Sequence, residues 1–105
     1  MTDEILVITE NIKDGICRLI VKGRIDSNSA DILLYKLENT LNDGQTAVIL
    51  DMAQVEYLSS MGIRVILKTY KQLTEAGGTF NIERPSKIVK NVLGMAALKD
   101  MLVSY

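Results

Sequence analysis

Ala47-Val-Ile-Leu-Asp-Met-Ala-Gln-Val-Glu-Tyr-Leu-Ser-Ser-Met-Gly-Ile-Arg64 is the stretch on which the reading of the chain turns. Val48, Ile49 and Leu50 form a short apolar run between turns, the pattern of a strand covered on both faces. A strand is expected there from Thr46 to Asp51. From Ser60 to about Ala76 the spacing predicts an amphipathic helix. Ile63, Ile66, Leu67, Tyr70 and Leu73 make its buried stripe, and Arg64, Lys68 and Lys71 share a different face. Ser59 and Ser60 fall where this helix begins. A helix start presents unpaired N–H groups and the positive end of the macrodipole. A serine there is either a plain cap or a place to carry a phosphate.

Outward from this segment, Glu4–Thr9 and Ile16–Val21 read as strands. They are joined by a turn over Asn11–Gly15, which makes an antiparallel hairpin. Gly23 breaks the second strand. Asp26, Ser27 and Asn28 supply candidate N-caps for a helix with Ala30, Leu33, Leu34, Leu37 and Leu41 on one face and Gly44 at its end. Gly77-Gly78 stops the second helix, and Thr79–Glu83 is another strand. Pro85 is expected at the first position of a third helix, with Ile88, Val89, Val92 and Leu93 inward. A short last strand is expected at Met101–Val103. The order β-β-α-β-α-β-α-β defines an α/β domain with a mostly parallel sheet of about 4–5 strands and right-handed crossovers.

The 105 residues suit one domain, 1–105, long enough to bury a core without staples. A hydrophobic fraction of 48% argues against disorder. Twelve basic and thirteen acidic residues leave a net charge of −1, so no global field favours nucleic acid or an anionic membrane. No apolar run approaches the roughly 18–20 residues that span a bilayer. The acidic Met-Thr-Asp-Glu start lacks the pattern of a signal peptide, so a cytoplasmic location is expected. The single cysteine, Cys17, lies in an apolar strand and reads as a core residue. With no histidine, Ser-His and Cys-His catalysis are excluded, and a structural zinc site nearly so.

The polar residues that remain define the possible chemistry. Ser60-Met61-Gly62 matches half of a nucleophile elbow, but Leu58 stands where the first glycine belongs and no base is available. Asp51 is read as a strand-end turn former or local anchor. A phospho-accepting aspartate is conceivable there, but the acidic pair that usually accompanies one is missing. Asp26 is either a dipole partner of the first helix or part of a docking surface. Asp26 and Asp51 together could hold Mg²⁺, a weak signal from two carboxylates. Arg64, Lys68 and Lys71 are a solvated face or a contact for an acidic partner. Gly62, one turn into its helix, indicates close approach by a neighbouring element or a partner.

Five segments together carry a family resemblance. They are Gly23-Arg-Ile-Asp26, Leu50-Asp51 with Val55, Tyr57-Leu-Ser-Ser-Met-Gly-Ile-Arg-Val-Ile-Leu67, Glu75-Ala-Gly-Gly78, and Val92-Leu93 to Leu98. The chain resembles a STAS domain and, within that family, a free-standing bacterial anti-sigma-factor antagonist. The family motif is Asp-Ser-Ser-Gly or Asp-Ser-Ala-Gly, with the serine after the aspartate phosphorylated. Aligned on Gly62, the acceptor corresponds to Ser60, with Ser59 as the alternative, and Ser59 stands where the family has its aspartate. The family's last helix is expected to be absent or very short here.

The resemblance implies a switch without catalysis, cofactor or metal. The unphosphorylated antagonist binds an anti-sigma factor that is itself a serine kinase, and this frees a sigma factor. Phosphorylation separates the complex, and a PP2C-type phosphatase resets it. Asp26, Ser59, Ser60, Met61 and Arg64 are the implied partner-binding residues. The second reading is a constitutive scaffold subunit of a sensory or lipid-transport complex. A small α/β enzyme built on Asp26, Asp51 and Ser60 is the third.

Overall fold

Hydrophobic alternation along the second strand sets the sheet. Cys17, Leu19, Val21 and Ile25 are buried, while Arg18, Lys22 and Arg24 between them are wholly or partly exposed. The computed structural model, which describes residues 6–96, 98 and 102, contains seven elements in chain order. They are β1 (Leu6–Lys13), β2 (Ile16–Ile25), α1 (Ala30–Asn42), β3 (Ala47–Leu58), α2 (Ser60–Glu75), β4 (Thr79–Glu83) and α3 (Lys87–Met95). The sheet order is β1-β2-β3-β4. β1 pairs antiparallel with β2, and the other two pairings are parallel. This is the predicted α/β domain, with a four-stranded mixed sheet.

Both strands of the hairpin are longer than their apolar runs suggest. Asp14 and Gly15 have φ of 54° and 78°, the two positive values that a two-residue type I′ turn requires. That tight turn lets pairing continue to Lys13↔Ile16, so Asn11–Lys13 belong to β1 rather than to a loop. Gly23 does not end β2. Its φ of 116° and the register shift between Gly23 and Arg24 mark a bulge, after which pairing resumes to Ile25↔Leu58.

β3 departs furthest from expectation, because it runs seven residues past Asp51 to Leu58. Its first half is apolar on both sides. Its second half carries two register shifts against β2, so Val55 and Leu58 are buried three residues apart while Gln54, Glu56 and Tyr57 are exposed. Asp51 is therefore a mid-strand residue, only 7% exposed. Its carboxylate accepts from the Ala53 N–H at 3.2 Å and pairs with Arg84 at 3.3 Å, which removes the turn-forming role assigned to it.

α1 packs against α2 and against β1 and β2, α2 against β4, and α3 against β3. Leu33 and Leu37 of α1, Ile66 and Leu73 of α2, and Val89 and Leu93 of α3 join the strand residues in one core. Cys17 lies fully inside it, and burial pushes its thiol pKa up. Ion pairs are peripheral: Lys36–Glu10 ties α1 to β1 at 3.0 Å, and Arg18–Glu83 crosses the sheet at 2.9 Å. Such partly exposed pairs each contribute about 0–1 kcal/mol.

The third helix starts later than predicted. Its N-cap is Ser86, whose Oγ accepts from the Val89 N–H at 3.4 Å, so Pro85 lies before the helix instead of at its first position. A capping hydroxyl satisfies an orphan donor, which proline cannot do. The buried stripe narrows to Val89 and Leu93; Ile88 is turned outward and Val92 is half-buried. Most of the expected strand Met101–Val103 lies outside the described residues. Leu102, which is described, is helical, with its N–H bonded to the Leu98 carbonyl at 3.1 Å.

Ser86 fastens α3 to the sheet twice, since its Oγ donates to the Val55 carbonyl at 2.7 Å and its N–H to Met52 O at 3.1 Å. Ser86→Ala removes both the cap and the side-chain tie, and is expected to lower stability by about 1–2 kcal/mol. Urea denaturation of the two proteins measures this as a lower midpoint at unchanged slope.

Candidate functional site

The ends of β2 and β3 meet in register at Ile25 and Leu58, and each strand then turns into a helix. The Ser59 N–H donates to the Ile25 carbonyl at 2.8 Å, so the start of α2 is bonded to the end of β2. Gly62, in the first turn of α2, lies against the same two residues. A Cβ added there would be 2.6 Å from Ile25 Cγ2 and 2.7 Å from Leu58 Cδ1. The close approach foreseen at Gly62 is made by the chain's own sheet, not by a partner.

The two serines have separate roles in this geometry. Ser59 is the N-cap: its backbone is extended and its Oγ accepts from the Gly62 N–H at 3.3 Å. Ser60 is the first helical residue and is exposed. Met61, 41% exposed, and Arg64, also exposed, continue this surface along α2. There is no acidic residue in the first turn of α2.

Asp26 directly follows Ile25 and therefore borders the α2 start. Its Oδ1 accepts from the backbone N–H groups of Ser29 at 2.9 Å and Asn28 at 3.0 Å, holding the turn that opens α1. The residue at the cap position itself, Ser29, is buried, and its hydroxyl donates to Arg24 O at 2.6 Å. Ser29 makes no side-chain capping bond to α1; its Oγ also accepts from the Asp26 N–H at 2.9 Å, so it fastens the turn rather than the helix. The Ser29 N–H, with further bonds from the Ser29 hydroxyl and the Asn28 N–H, holds the Asp26 carboxyl below the ordinary carboxylate range.

Two further exposed groups on this rim were absent from the expected site. The Arg24 guanidinium lies over the Tyr57 ring at 4.6 Å from its centroid. The pair is set by the register Arg24↔Tyr57, one step before Ile25↔Leu58. Ending the strand at Asp51 left Tyr57 outside it, and the two register shifts between Asp51 and Tyr57 leave no alternation that would have marked its position.

Asp51 does not belong to this site. It pairs in register with Ile20, whereas Ile25, just before Asp26, pairs with Leu58. Seven residues of strand separate the two levels, about 20 Å at strand rise. Asp26, Asp51 and Ser60 therefore do not converge, and neither a shared Mg²⁺ nor a three-residue catalytic cluster is assembled. Among the described residues no group of three or more metal-ligating side chains is found, and no helix is long and apolar enough to cross a membrane.

The STAS domain model matches residues 8–104, and the chain belongs to that family. It is 34% identical over 65 residues to BtrV of Bordetella bronchiseptica, a protein named as a candidate anti-sigma factor antagonist. That match covers 62% of this chain and 56% of BtrV, little more than half of that relative's length. It is 29% identical over 82 residues to the anti-sigma-B factor antagonist of Bacillus subtilis, covering 78% of this chain and 74% of the relative. Among solved structures, the anti-sigma factor antagonist SpoIIAA in its unphosphorylated form superposes with a TM-score of 0.80. That likeness, at 16% identity over 94% of this chain and 88% of SpoIIAA, concerns the fold.

Gly62→Ala is expected to lower stability by about 1–2 kcal/mol, because overpacking against Ile25 and Leu58 exceeds the gain in helix propensity. Thermal unfolding reads this as a lower Tm. Asp26 gives a pH signature. A carboxylate whose pKa is lower folded than unfolded adds stability that is complete above the unfolded value and is lost as pH falls through the folded one. Asp26→Asn is expected to flatten that acid limb, measured as urea midpoints across the acid range.

Proposed function

We propose that this chain is a phosphorylation-gated anti-sigma-factor antagonist, with Ser60 as the acceptor. The observation that carries the reading is the division of labour between the serines. Ser59 is engaged in capping α2, and Ser60 stands exposed beside it. Serine and aspartate are about equally good N-caps. Ser59 therefore performs the structural part of the family aspartate's task, and the helix start keeps its form without the acidic residue.

In this reading the unmodified face of Asp26, Ser59, Ser60, Met61 and Arg64 docks an anti-sigma factor that is a serine kinase, and the sigma factor is released. The kinase transfers the γ-phosphoryl group of ATP to Ser60 Oγ. The bond to ADP breaks, the new P–O bond forms and the hydroxyl proton leaves. A PP2C-type phosphatase hydrolyses the ester to serine and inorganic phosphate. The added charge of about −1.5 to −2 is compatible with a helix N-terminus, so the fold persists. It is incompatible with a partner surface fitted to a neutral hydroxyl, because burying an unmatched dianion costs several kcal/mol. SpoIIAA, described in an unphosphorylated form, supports a gate of this kind in a protein of the same fold.

Ser59 also favours a second reading. A kinase that recognises the family aspartate finds no carboxylate here, which suits a constitutive scaffold subunit in a sensory or lipid-transport complex. The two readings separate in one experiment. Incubation with the anti-sigma-factor kinase of the same genome and ATP is expected to add one phosphate at Ser60, located by mass spectrometry. Ser60→Ala should bind that kinase about as tightly as wild type, and Ser60→Asp at least tenfold more weakly. Unmodified Ser60 together with unchanged binding of Ser60→Asp rejects the gate in favour of the scaffold.

A further inference from the structure

We infer that the free edge of β1, with the flank of α1 beside it, is a surface for a second copy of this chain. The two copies pair β1 antiparallel about a two-fold axis at Thr9 and join their four-stranded sheets into one. Neither Ser60 nor its modification enters this pairing.

β1 ends the sheet, and among the described residues no strand lies on its outer side. The Asp14-Gly15 turn makes Lys13↔Ile16 a hydrogen-bonded pair. Bonded and non-bonded pairs alternate along an antiparallel ladder, so Leu6, Ile8, Glu10 and Ile12 direct their N–H and C=O groups outward. Strand edges are commonly blunted by proline, a bulge or a charge. β1 contains no proline, and its register against β2 is unbroken. Glu10, the one charged residue of the four, is paired with Lys36 of its own α1 at 3.0 Å.

Exposed apolar side chains gather at the same edge. Apart from Met95, the most exposed large apolar residues described are Tyr35 at 62%, Ile12 at 50% and Ile32 at 47%. Ile12 and Glu10 pair with the buried Cys17 and Leu19, so they share the sheet face that α1 covers. Ile32 is one helical turn from both Tyr35 and Lys36, on the flank of α1 that Lys36 turns towards β1. The register is also self-complementary. A two-fold axis at Thr9 sets Leu6 opposite Ile12 of the second copy and the two Thr9 residues opposite each other, both favourable pairs. An axis one residue further on would oppose two Glu10 carboxylates instead.

The helix layer selects the occupant. α1 packs on both β1 and β2, so it overlies the seam between them. Strands lie about 4.8 Å apart, which sets the two α1 axes about 10 Å apart. That is a helix-packing distance. α1 leaves the end of β2 and runs alongside β1 with Lys36 at Glu10, so Ile32 is level with Ile8, about 6 Å back along each element. Leu6 and Ile32 of the second copy therefore come beside Ile12. A lone peptide strand would pair with the edge but leave Ile32 and Tyr35 in water. A second copy carries a strand and a helix at the matching spacing. The two-fold also turns the two α2 starts in opposite directions, so both stay accessible.

Sedimentation equilibrium of the full chain, from micromolar to near-millimolar concentration, compares wild type with Ile12→Lys, Tyr35→Lys and Met95→Lys. Met95 is 82% exposed on α3, which packs on β3, so its substitution adds the same charge away from the edge. Wild type is expected to dimerise. Ile12→Lys and Tyr35→Lys should each weaken the dimer by about tenfold or more, and Met95→Lys should leave it unchanged. Two cysteine variants read the register. Thr9→Cys sets two thiols on the axis with Cα atoms about 4.5 Å apart, within disulfide range. Oxidation should convert it to a covalent dimer on a non-reducing gel. Asn11→Cys, whose two copies stand about 14 Å apart, should stay uncrosslinked. Circular dichroism melts confirm folding; should Ile12→Lys unfold, Tyr35→Lys and the crosslink decide.

A wild type that stays monomeric throughout the range overturns the proposal. So does a dimer that the edge variants leave intact, since another surface then makes it. Equal weakening by Met95→Lys overturns it as well, because only net charge then matters. Crosslinking of Asn11→Cys as readily as Thr9→Cys rejects the two-fold at Thr9.

Discussion

The hydrogen bond from the Ser59 N–H to the Ile25 carbonyl, 2.8 Å long, holds the functional end of the molecule together. It joins the last residue of β2 to the residue that caps α2, at the point where the two central strands finish their pairing. Gly62 then lets the helix rest directly on Ile25 and Leu58, where any Cβ would collide. The bond and the contact together fix where α2 begins, and so which residues of the Tyr57–Arg64 segment reach the surface. Ser60 is outward because Ser59 is tied inward.

The difference between this chain and its family's motif follows from that arrangement. The residue before Ser60 has one task that the structure shows, capping the helix. Serine performs it, because its hydroxyl oxygen accepts the Gly62 N–H as a carboxylate would. Around the site the charges are mixed: Arg24 and Arg64 are exposed cations, Glu56 is an exposed acid, and the ionised Asp26 carboxylate holds the α1 turn.

The hairpin, the three helices and the edge strand β4 were legible because their apolar residues recur at periods of 2 and 3.6, and because Asp14-Gly15 is a turn signal in itself. The long β3 was not. Its buried Asp51 looked like the polar end of an apolar run, and only the ion pair with Arg84 and the bond from the Ala53 N–H explain a carboxylate in mid-strand. That single misplacement also hid Tyr57 as a strand residue and its stack with Arg24. It also made Asp51 seem available to a site about 20 Å away along the strand. Pro85 and Ile88 were misplaced for a smaller reason: Ser86 competes for the cap and shifts the helix start, turning the apolar stripe onto Val89 and Leu93.

Sequence alone determined the α/β class, the absence of histidine chemistry and the serine pair at a helix start, because each follows from residue type and local spacing. Tertiary structure decided which serine is spent and which is exposed, that Asp26 and Asp51 never meet, and that Arg24 and Tyr57 stack on each other. Those outcomes depend on strand register between segments more than thirty residues apart. Register comes from how two surfaces pack, and no local pattern in either segment encodes it.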